Sequence, residues 1–310
     1  MIEIFQQING RFLRCDELKD ATWVSLITPT EEELKEVIRE FGIFSDFLRY
    51  PLDLEESSRI EEEHDQLLVI IKVPYPQQED RILRFETVPL GIILTDKVVI
   101  TISPVETEAT KQLLNQRRGP AQDINSVRFI FNIFLKVANN YLRQLRLIDK
   151  LMDEYEAELH RSLRNKELIK LLNLEKSLVY FNTSLKSNDL VMARLGSGRF
   201  LPISDEDEDI LEDAQIENQQ AIEMARIYSD ILAGMMDAFA SIISNNLNIV
   251  MKFLTSVTIV LMLPTLVASI YGMNIHLPLQ ENPHAFVILM GISFLLSLSV
   301  VYIFIKKKLF

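Results

Sequence analysis

Two long apolar runs near the C-terminal end limit the fold of this chain more tightly than anything else in it. "VMKFLTSVTIVLMLPTLVASIYG", residues 250–272, is interrupted by Lys252 alone, and "AFVILMGISFLLSLSVVYIFI", residues 285–305, carries no charge. About 20 helical residues cross a hydrocarbon core ~30 Å thick, so each run is expected to span a bilayer. Lys252 stands at the start of the first run and Lys306, Lys307 and Lys308 follow the second, whereas the connection, residues 273–284, has no lysine or arginine. The positive-inside rule then puts both ends in the cytoplasm and the loop outside, as in a multi-pass protein of a cell membrane.

The rest of the chain has the character of an acidic soluble protein. Residues 246–310 hold four lysines against Glu281, a net +3, so the chain total of −12 leaves −15 on residues 1–245. That balance excludes nucleic acid as a partner. An acidic domain gains nothing from an anionic bilayer surface but concentrates cations around itself. One cysteine, Cys15, excludes an internal disulfide or a CxxC metal site and suits a reducing compartment. His64 and His160 stand singly, while His276 and His284 flank the loop with Glu281 between them, which leaves a histidine–carboxylate site there open. "MIEIFQQINGRFLRC" has no cationic start followed by a sustained apolar run, so no signal peptide is expected and the N-terminal part should stay in the cytosol. With no serine, cysteine or histidine constellation and no glycine-rich phosphate loop, an enzyme is not expected.

Residues 1–124 are expected to form an α/β domain. "TWVSLIT" leads into "PTEEELKEVIREFG", where Thr28 as N-cap, Pro29 at the first helical position and Glu31 at the third predict a capped helix; Ser103, Pro104 and Glu106 repeat the signature before a helix ending near Gly119. "QLLVIIKVP", "ETVPLGIILTD" and "KVVITISP" predict buried strands, the last two a hairpin around Asp96, in an order the pattern does not give. Within residues 125–203, the stretch from Ser126 to Ser187 has neither proline nor glycine, and Phe131, Phe134, Val137, Tyr141 and Leu145 recur three or four apart, which predicts long helices. After the break "ARLGSGRFLPISDEDED", Ser204 is the expected N-cap, with Asp207 three residues on, of a cytosolic helix over 204–249. That helix is expected to run without interruption into the membrane helix over 250–272, about 100 Å at ~1.5 Å per residue. Pro264 is its one proline, at a depth where a neighbouring helix can compensate a kink. Met224, Tyr228, Ile231, Met235, Phe239 and Ile242 mark its expected packing stripe, and so long a helix needs partners along its length. A loop over 273–284, the second membrane helix over 285–305 and a basic tail over 306–310 complete the order.

The first membrane helix is striped. Asn248, Thr255, Met262 and Ser269 recur at seven-residue spacing with Met251, Thr258, Thr265 and Met273 alongside, while Val257, Ile259, Val260 and Leu263 lie on other faces. Hydroxyls and amides in hydrocarbon are costly unless they meet another helix or water, so tight helix packing and a pore lining both explain the row. At its outer end Gly272 and Asn274 supply backbone carbonyls and a side-chain amide close to the same face.

The "YGMN" at 271–274, ending the first of two C-terminal spanning helices after "NIVMKFLTSVTIVLMLPTL" and before a short loop with a proline, closely resembles the CorA family of divalent metal-ion transporters, and the terminal "KKKLF" is also similar. The resemblance is specific over residues 245–310 and rests on architecture and length elsewhere. It implies an α+β/α membrane protein: an N-terminal α/β cytosolic domain, a long helical stalk and two transmembrane helices per chain, in a funnel-shaped homopentamer whose first helices form the pore and second helices an outer ring. Gly272, Met273 and Asn274 would form the outer selectivity site, Thr265 and Ser269 would relay the hydrated ion, Met262 would be a hydrophobic constriction and Asn248 the cytosolic mouth. The implied substrate is Mg²⁺, with Co²⁺ or Ni²⁺ also carried, and the implied regulation is closure by intracellular Mg²⁺ bound between cytosolic domains. By its spacing back from Asn248, Asp213 in "ILEDAQ" matches the regulatory position, with Glu79, Asp80 or Glu86 of a neighbouring copy as partner; Asp205, Glu206, Asp207, Glu208 and Asp209, with Asp213, equally make a solvated helix start favoured by the dipole. Where relatives often carry an acid near an "MPE"-like segment, this loop reads "IHLPLQENP", so Glu281 is the candidate attracting charge. Two alternatives stay open: a zinc or other transition-metal transporter, motivated by His276 and His284, and a membrane-anchored cytosolic scaffold module with a dry hairpin.

Overall fold

A computed structural model of the chain describes residues 1–8, 11–79, 82–114, 126–161, 165–275, 277–278 and 282–307. Its contacts divide the chain into two units, residues 1–233 and 234–310.

Among the described residues, the first unit is built on a seven-stranded sheet. The strands are β1 (Ile2–Ile8), β2 (Arg11–Arg14), β3 (Trp23–Ile27), β4 (Arg59–Glu63), β5 (Gln66–Glu79), β6 (Ile82–Leu94) and β7 (Val99–Ser103), in the order β2-β1-β3-β7-β6-β5-β4. β3 and β7 pair in parallel and the other neighbours antiparallel. Leu67, Leu68, Val69, Ile70 and Ile71 are all buried, a continuous apolar run where alternation would serve a strand with one wet face. Both faces are indeed covered. On one, α1 (Glu31–Phe41) and α2 (Ser45–Arg49) bring Leu34, Val37, Phe47 and Leu48 to a core with Leu68, Ile70, Ile93 and Ile100. On the other, α4 (Ser126–Arg161) and α5 (Asn165–Gly196) set Tyr141 and Phe181 edge to face at 5.0 Å, with Phe85 of β6 against Phe181. Polar contacts fix the register of that face: Asn188 takes the Lys72 amide on its Oδ1 at 2.9 Å and donates its Nδ2 to the Lys72 carbonyl at 2.7 Å, and the Tyr141 hydroxyl donates to the same carbonyl at 3.1 Å.

The hairpin of β5 and β6 outruns its neighbours. β4 covers β5 only as far as Ile70, and β7 covers β6 only from Gly91 onward, so the far part of the hairpin is a two-stranded ribbon. Pro74 and Pro76, which cannot donate to a ladder, fall in that ribbon, where one edge of each strand has no strand beside it among the described residues.

Two helix starts differ from the sequence expectation. The N-cap of α1 is Thr30, not Thr28: the Thr30 hydroxyl accepts from the Glu33 amide while the Glu33 carboxylate accepts from the Thr30 amide, a complete capping box. Thr28 has φ +44°, donates its amide to Ser103 and its hydroxyl to Pro104, and so serves the end of the sheet. Ser103 likewise ends β7 and donates to the Pro89 carbonyl, and Thr107 precedes α3 (Glu108–Leu114) in its place. The expected end near Gly119 lies outside the described residues. Gly42 closes α1 with φ +67°, the left-handed turn glycine takes without cost.

α6 (Asp205–Tyr271) contributes to both units, and α7 (Ala285–Lys306) belongs to the second; both are long and apolar enough to cross a membrane. The expected cap holds, since the Ser204 hydroxyl accepts from the Asp207 amide. The acidic start is not a uniformly solvated run, however. Asp207 is 1% exposed and accepts from Arg128 Nε at 2.8 Å, while Glu206 accepts from the same guanidinium at 2.7 Å. These two carboxylates push the Arg128 pKa up, against burial. The packing stripe of α6 in the first unit also departs from expectation. Leu211, Ala214, Asn218, Ala221, Ala225 and Leu232 are buried, while Met224 and Tyr228 are half-buried and Ile231 is 49% exposed. Small side chains allow close approach, and Asn218 donates across the seam to the Leu185 carbonyl of α5 at 3.2 Å.

Candidate functional site

In the second unit, one face of α6 meets α7. Ser256 is 4% exposed, and Val257, Val260, Leu263, Val267 and Tyr271 are half-buried beside it; on α7 the matching row is Leu289, Ser293, Ser297, Val301 and Phe304. The steps of three and four put each row on one face of its helix, and the Ser297 hydroxyl of α7 reaches the Val260 carbonyl of α6. Pro264 interrupts the ladder on this face. It has no N–H to give the Val260 carbonyl four residues back, and the Ser297 hydroxyl of α7 donates to that carbonyl at 3.4 Å. The expectation that a neighbour would compensate the proline therefore holds in one named hydrogen bond.

The polar row lies elsewhere on the cylinder. At about 100° per residue, Asn248, Thr255, Met262 and Ser269 stand roughly 140° from the centre of the α7 seam, and Met251, Thr258 and Thr265 about 160° from it. All seven are exposed, Met262 at 62%. Packing against the partner helix of the same hairpin thus does not account for the row; that task falls to Ser256, Ser293 and Ser297. Sequence reasoning overlooked these three, although Ser293 and Ser297 are four apart on an otherwise apolar helix, a spacing that marks one face. Two hydroxyls of the row are satisfied within α6, Thr258 donating to the Leu254 carbonyl at 2.8 Å and Thr265 to Leu261 at 3.2 Å.

The row ends on the turn after α6. The Gly272 amide still bonds the Ala268 carbonyl at 2.9 Å, and the Met273 amide bonds Ile270 at 3.2 Å, which tightens the last turn. A Cβ on Gly272 would lie 3.3 Å from the Ala268 oxygen, a tight contact, and 3.5 Å from that of Ser269, an ordinary one. Met273 and Asn274 follow, both exposed. The Tyr271 hydroxyl donates to the Pro278 carbonyl at 3.1 Å, which binds the turn to the connection. The last turn of α6 carries no basic side chain. The last four carbonyls of a helix lack partners within it and carry the negative end of its dipole, so this terminus suits a cation. Asn282 accepts the amide of His284, the N-cap of α7, at 2.9 Å, and His284 is exposed. His276, Glu281 and Lys308 lie outside the described residues.

The regulatory candidates belong to the first unit. Asp213 is exposed on α6. Glu86 of β6 is half-buried opposite Tyr75, and Glu79 ends β5 opposite Ile82, both in the two-stranded ribbon; Asp80 lies outside the described residues. Among the described residues of one copy, no three His, Cys, Asp or Glu side chains are grouped closely enough to hold a metal ion.

Comparison with known proteins agrees in length and in fold. The family model described as CorA-like Mg²⁺ transporter protein matches residues 19–307. The cobalt/magnesium transport protein CorA of Methanocaldococcus jannaschii is 31% identical over 288 residues, 91% of this chain and 89% of that protein. The protein of the same description from Thermotoga maritima is 20% identical over 292 residues, 93% of this chain and 83% of that one. The complete structure of the CorA magnesium transporter from M. jannaschii superposes with a TM-score of 0.84 at 29% identity, covering 98% of this chain and 97% of that one. The chain belongs to the CorA-like Mg²⁺ transporter family.

Proposed function

We propose that the protein is a gated channel for divalent cations, with Mg²⁺ its principal substrate and Co²⁺ also carried. The observation that carries this reading is the polar row on α6, exposed on the side away from α7 and ending on the Gly272–Met273–Asn274 turn. Several copies arranged with that row inward enclose water, and five copies fit the resemblance. α7 then lies outside, toward lipid. Residues 1–124, the helices over 125–203 and the helix over 204–249 are assigned to the cytoplasm, the loop over 273–284 to the exterior and the tail over 306–310 to the cytoplasm, consistent with the lysines at 252 and 306–308.

Neutral oxygens suit the task. Mg²⁺ loses water reluctantly and demands octahedral geometry, so a carboxylate filter that stripped it would hold it too long. Asn274 amide oxygens and Gly272 carbonyls, repeated around an axis, accept hydrogen bonds from the waters of the hydrated ion and select it by size and charge density. Thr265 and Ser269 carry it inward, Met262 forms an apolar ring that closes by dewetting, and Asn248 marks the inner mouth. An inside-negative potential of about 100 mV favours entry of a divalent ion by about 4.6 kcal/mol, so no ATP is required.

Closure by internal Mg²⁺ is assigned to Asp213. A lone exposed carboxylate is at most part of a site, so the remaining ligands come from a neighbouring copy, with Glu79, Asp80 and Glu86 as candidates.

Two measurements test this reading. The mass of the purified protein in detergent should be that of an oligomer, and a monomer would leave the row with no water to enclose and favour an anchored module. A hexa-liganded cobalt complex, which mimics the hydrated ion, should block Mg²⁺ uptake into liposomes; insensitivity would favour a filter that binds a dehydrated transition metal.

A further inference from the structure

A helix that crosses hydrocarbon must satisfy every backbone polar group within protein. Pro264 breaks that rule in α6, since it gives no hydrogen to the Val260 carbonyl, and a proline ring crowds the oxygen four residues back. Val260 lies on the α7 seam, and the Ser297 hydroxyl of α7 reaches its carbonyl oxygen at 3.4 Å. On the next residue, the Thr265 hydroxyl donates to Leu261 at 3.2 Å. The turn that the proline loosens is thus held from one side by α6 itself and from the other by α7.

This matters for what lies beyond the proline. Residues 265–274 include Thr265, Ser269, Gly272, Met273 and Asn274, the outer half of the proposed path. Their direction depends on the angle α6 takes at Pro264, since a small change there is multiplied over two turns of helix. We propose that Ser297 is a positioning residue for ion selection, setting that angle through the Val260 carbonyl in place of the donor that Pro264 lacks. The role rests on the reading of α6 as the pore helix. Ser297 itself touches no ion.

The test is a double-mutant cycle in the full-length protein, with two readouts. S297A removes the donor, and S297V and S297T differ from each other chiefly in keeping or losing the hydroxyl. P264A restores the amide that bonds Val260 directly, which makes the serine redundant. Hydrogen bonds between membrane helices shift equilibria by about threefold on average, so S297A and S297V should change the ratio of Mg²⁺ to Co²⁺ flux into liposomes by about threefold, and S297T should keep it. In the P264A background the same serine change should alter the ratio by less than about 1.3-fold. A contact that merely held the helices together would lower both fluxes alike and leave the ratio unmoved. Equal effects in the two backgrounds, or a native ratio in S297V, would overturn the proposal. If P264A does not assemble, the comparison of S297T with S297V still decides it. Thermal unfolding in detergent is the second readout, with the same cycle expected. Absence of flux in the wild-type protein would defeat the transport reading alone, and the thermal cycle would then decide whether Ser297 replaces the missing donor.

Discussion

The hydroxyl of Tyr271, the last residue of α6, donates to the carbonyl of Pro278 at 3.1 Å, so the turn between them is closed by a side chain as well as by backbone. Tyr271→Phe keeps the ring and removes this one bond, worth about 1 kcal/mol net. With Asn274 inside the closed loop, the half-saturating Mg²⁺ concentration for liposome uptake should rise by about threefold to tenfold while the unfolding temperature stays near native. An unchanged half-saturation would mean that backbone alone fixes the turn.

Gly272 follows the last residue of α6 and Gly234 lies inside it. At Gly272 an added Cβ meets the Ala268 carbonyl oxygen at 3.3 Å, whereas at Gly234 nothing outside the helix's own backbone lies within 4 Å. Gly272→Ala should cut Mg²⁺ flux by more than about tenfold, since a shift of the last turn by a few tenths of an ångström misplaces aligned groups. Gly234→Ala should leave flux native and stabilise the helix by about 0.5–1 kcal/mol, read as a raised unfolding midpoint.

The pair of Arg128 and Asp207 anchors the start of α6 to the start of α4. Arg128→Ala leaves a buried carboxylate without its guanidinium and should destabilise the first unit by about 3 kcal/mol. Arg128→Met with Asp207→Asn should recover part of that loss, because the carboxylate is then gone too. Denaturant unfolding followed by circular dichroism checks both, and a loss under about 1 kcal/mol in Arg128→Ala would contradict a structural role.

Glu33 gives acid sensitivity with a definite sign. Burial pushes its carboxyl up, but the Thr30 amide, the N-terminal ammonium and the Thr30 hydroxyl outweigh it and leave the group below its ordinary value of 4.5. A carboxyl depressed by folding stabilises the protein above the unfolded value and loses that contribution as pH falls through the folded one. Melting temperatures of wild type and Glu33→Gln, measured from about pH 6 to pH 3, should therefore differ most above the ordinary carboxylate range and converge below it. A gap that widened on acidification would reverse the assignment.

Much of this architecture can be read from residue pattern. The membrane helices, β3, the β6–β7 hairpin around Asp96, the long helices after Ser126 and the Ser204 cap all follow from apolar runs and local chemistry that act over a few residues. The capping boxes slipped because Thr28–Pro29 and Ser103–Pro104 imitate the signal while their hydroxyls are spent on the sheet end. β1 and β2 went unread although Asn9–Gly10 between them is a hairpin signal, since half-exposed strands such as "IEIFQQI" show little apolar contrast. The buried row of α6 was hidden because Ala214, Ala221 and Ala225 carry little hydrophobic weight, and their burial is a tertiary property. The polar row was legible from its seven-residue spacing. Its separation from the α7 seam was not, because serine counts as neutral in hydropathy whether it packs or faces water.

Entry of a hydrated divalent ion past uncharged oxygens at the outer end of α6 is decided by Mg²⁺ flux into liposomes holding the purified protein, under an imposed inside-negative potential, for wild type and Asn274→Ala. Potential-driven uptake is expected in the wild type and a loss of more than about tenfold in the variant, with the assembly intact. Undiminished uptake after Asn274→Ala would contradict entry by that route.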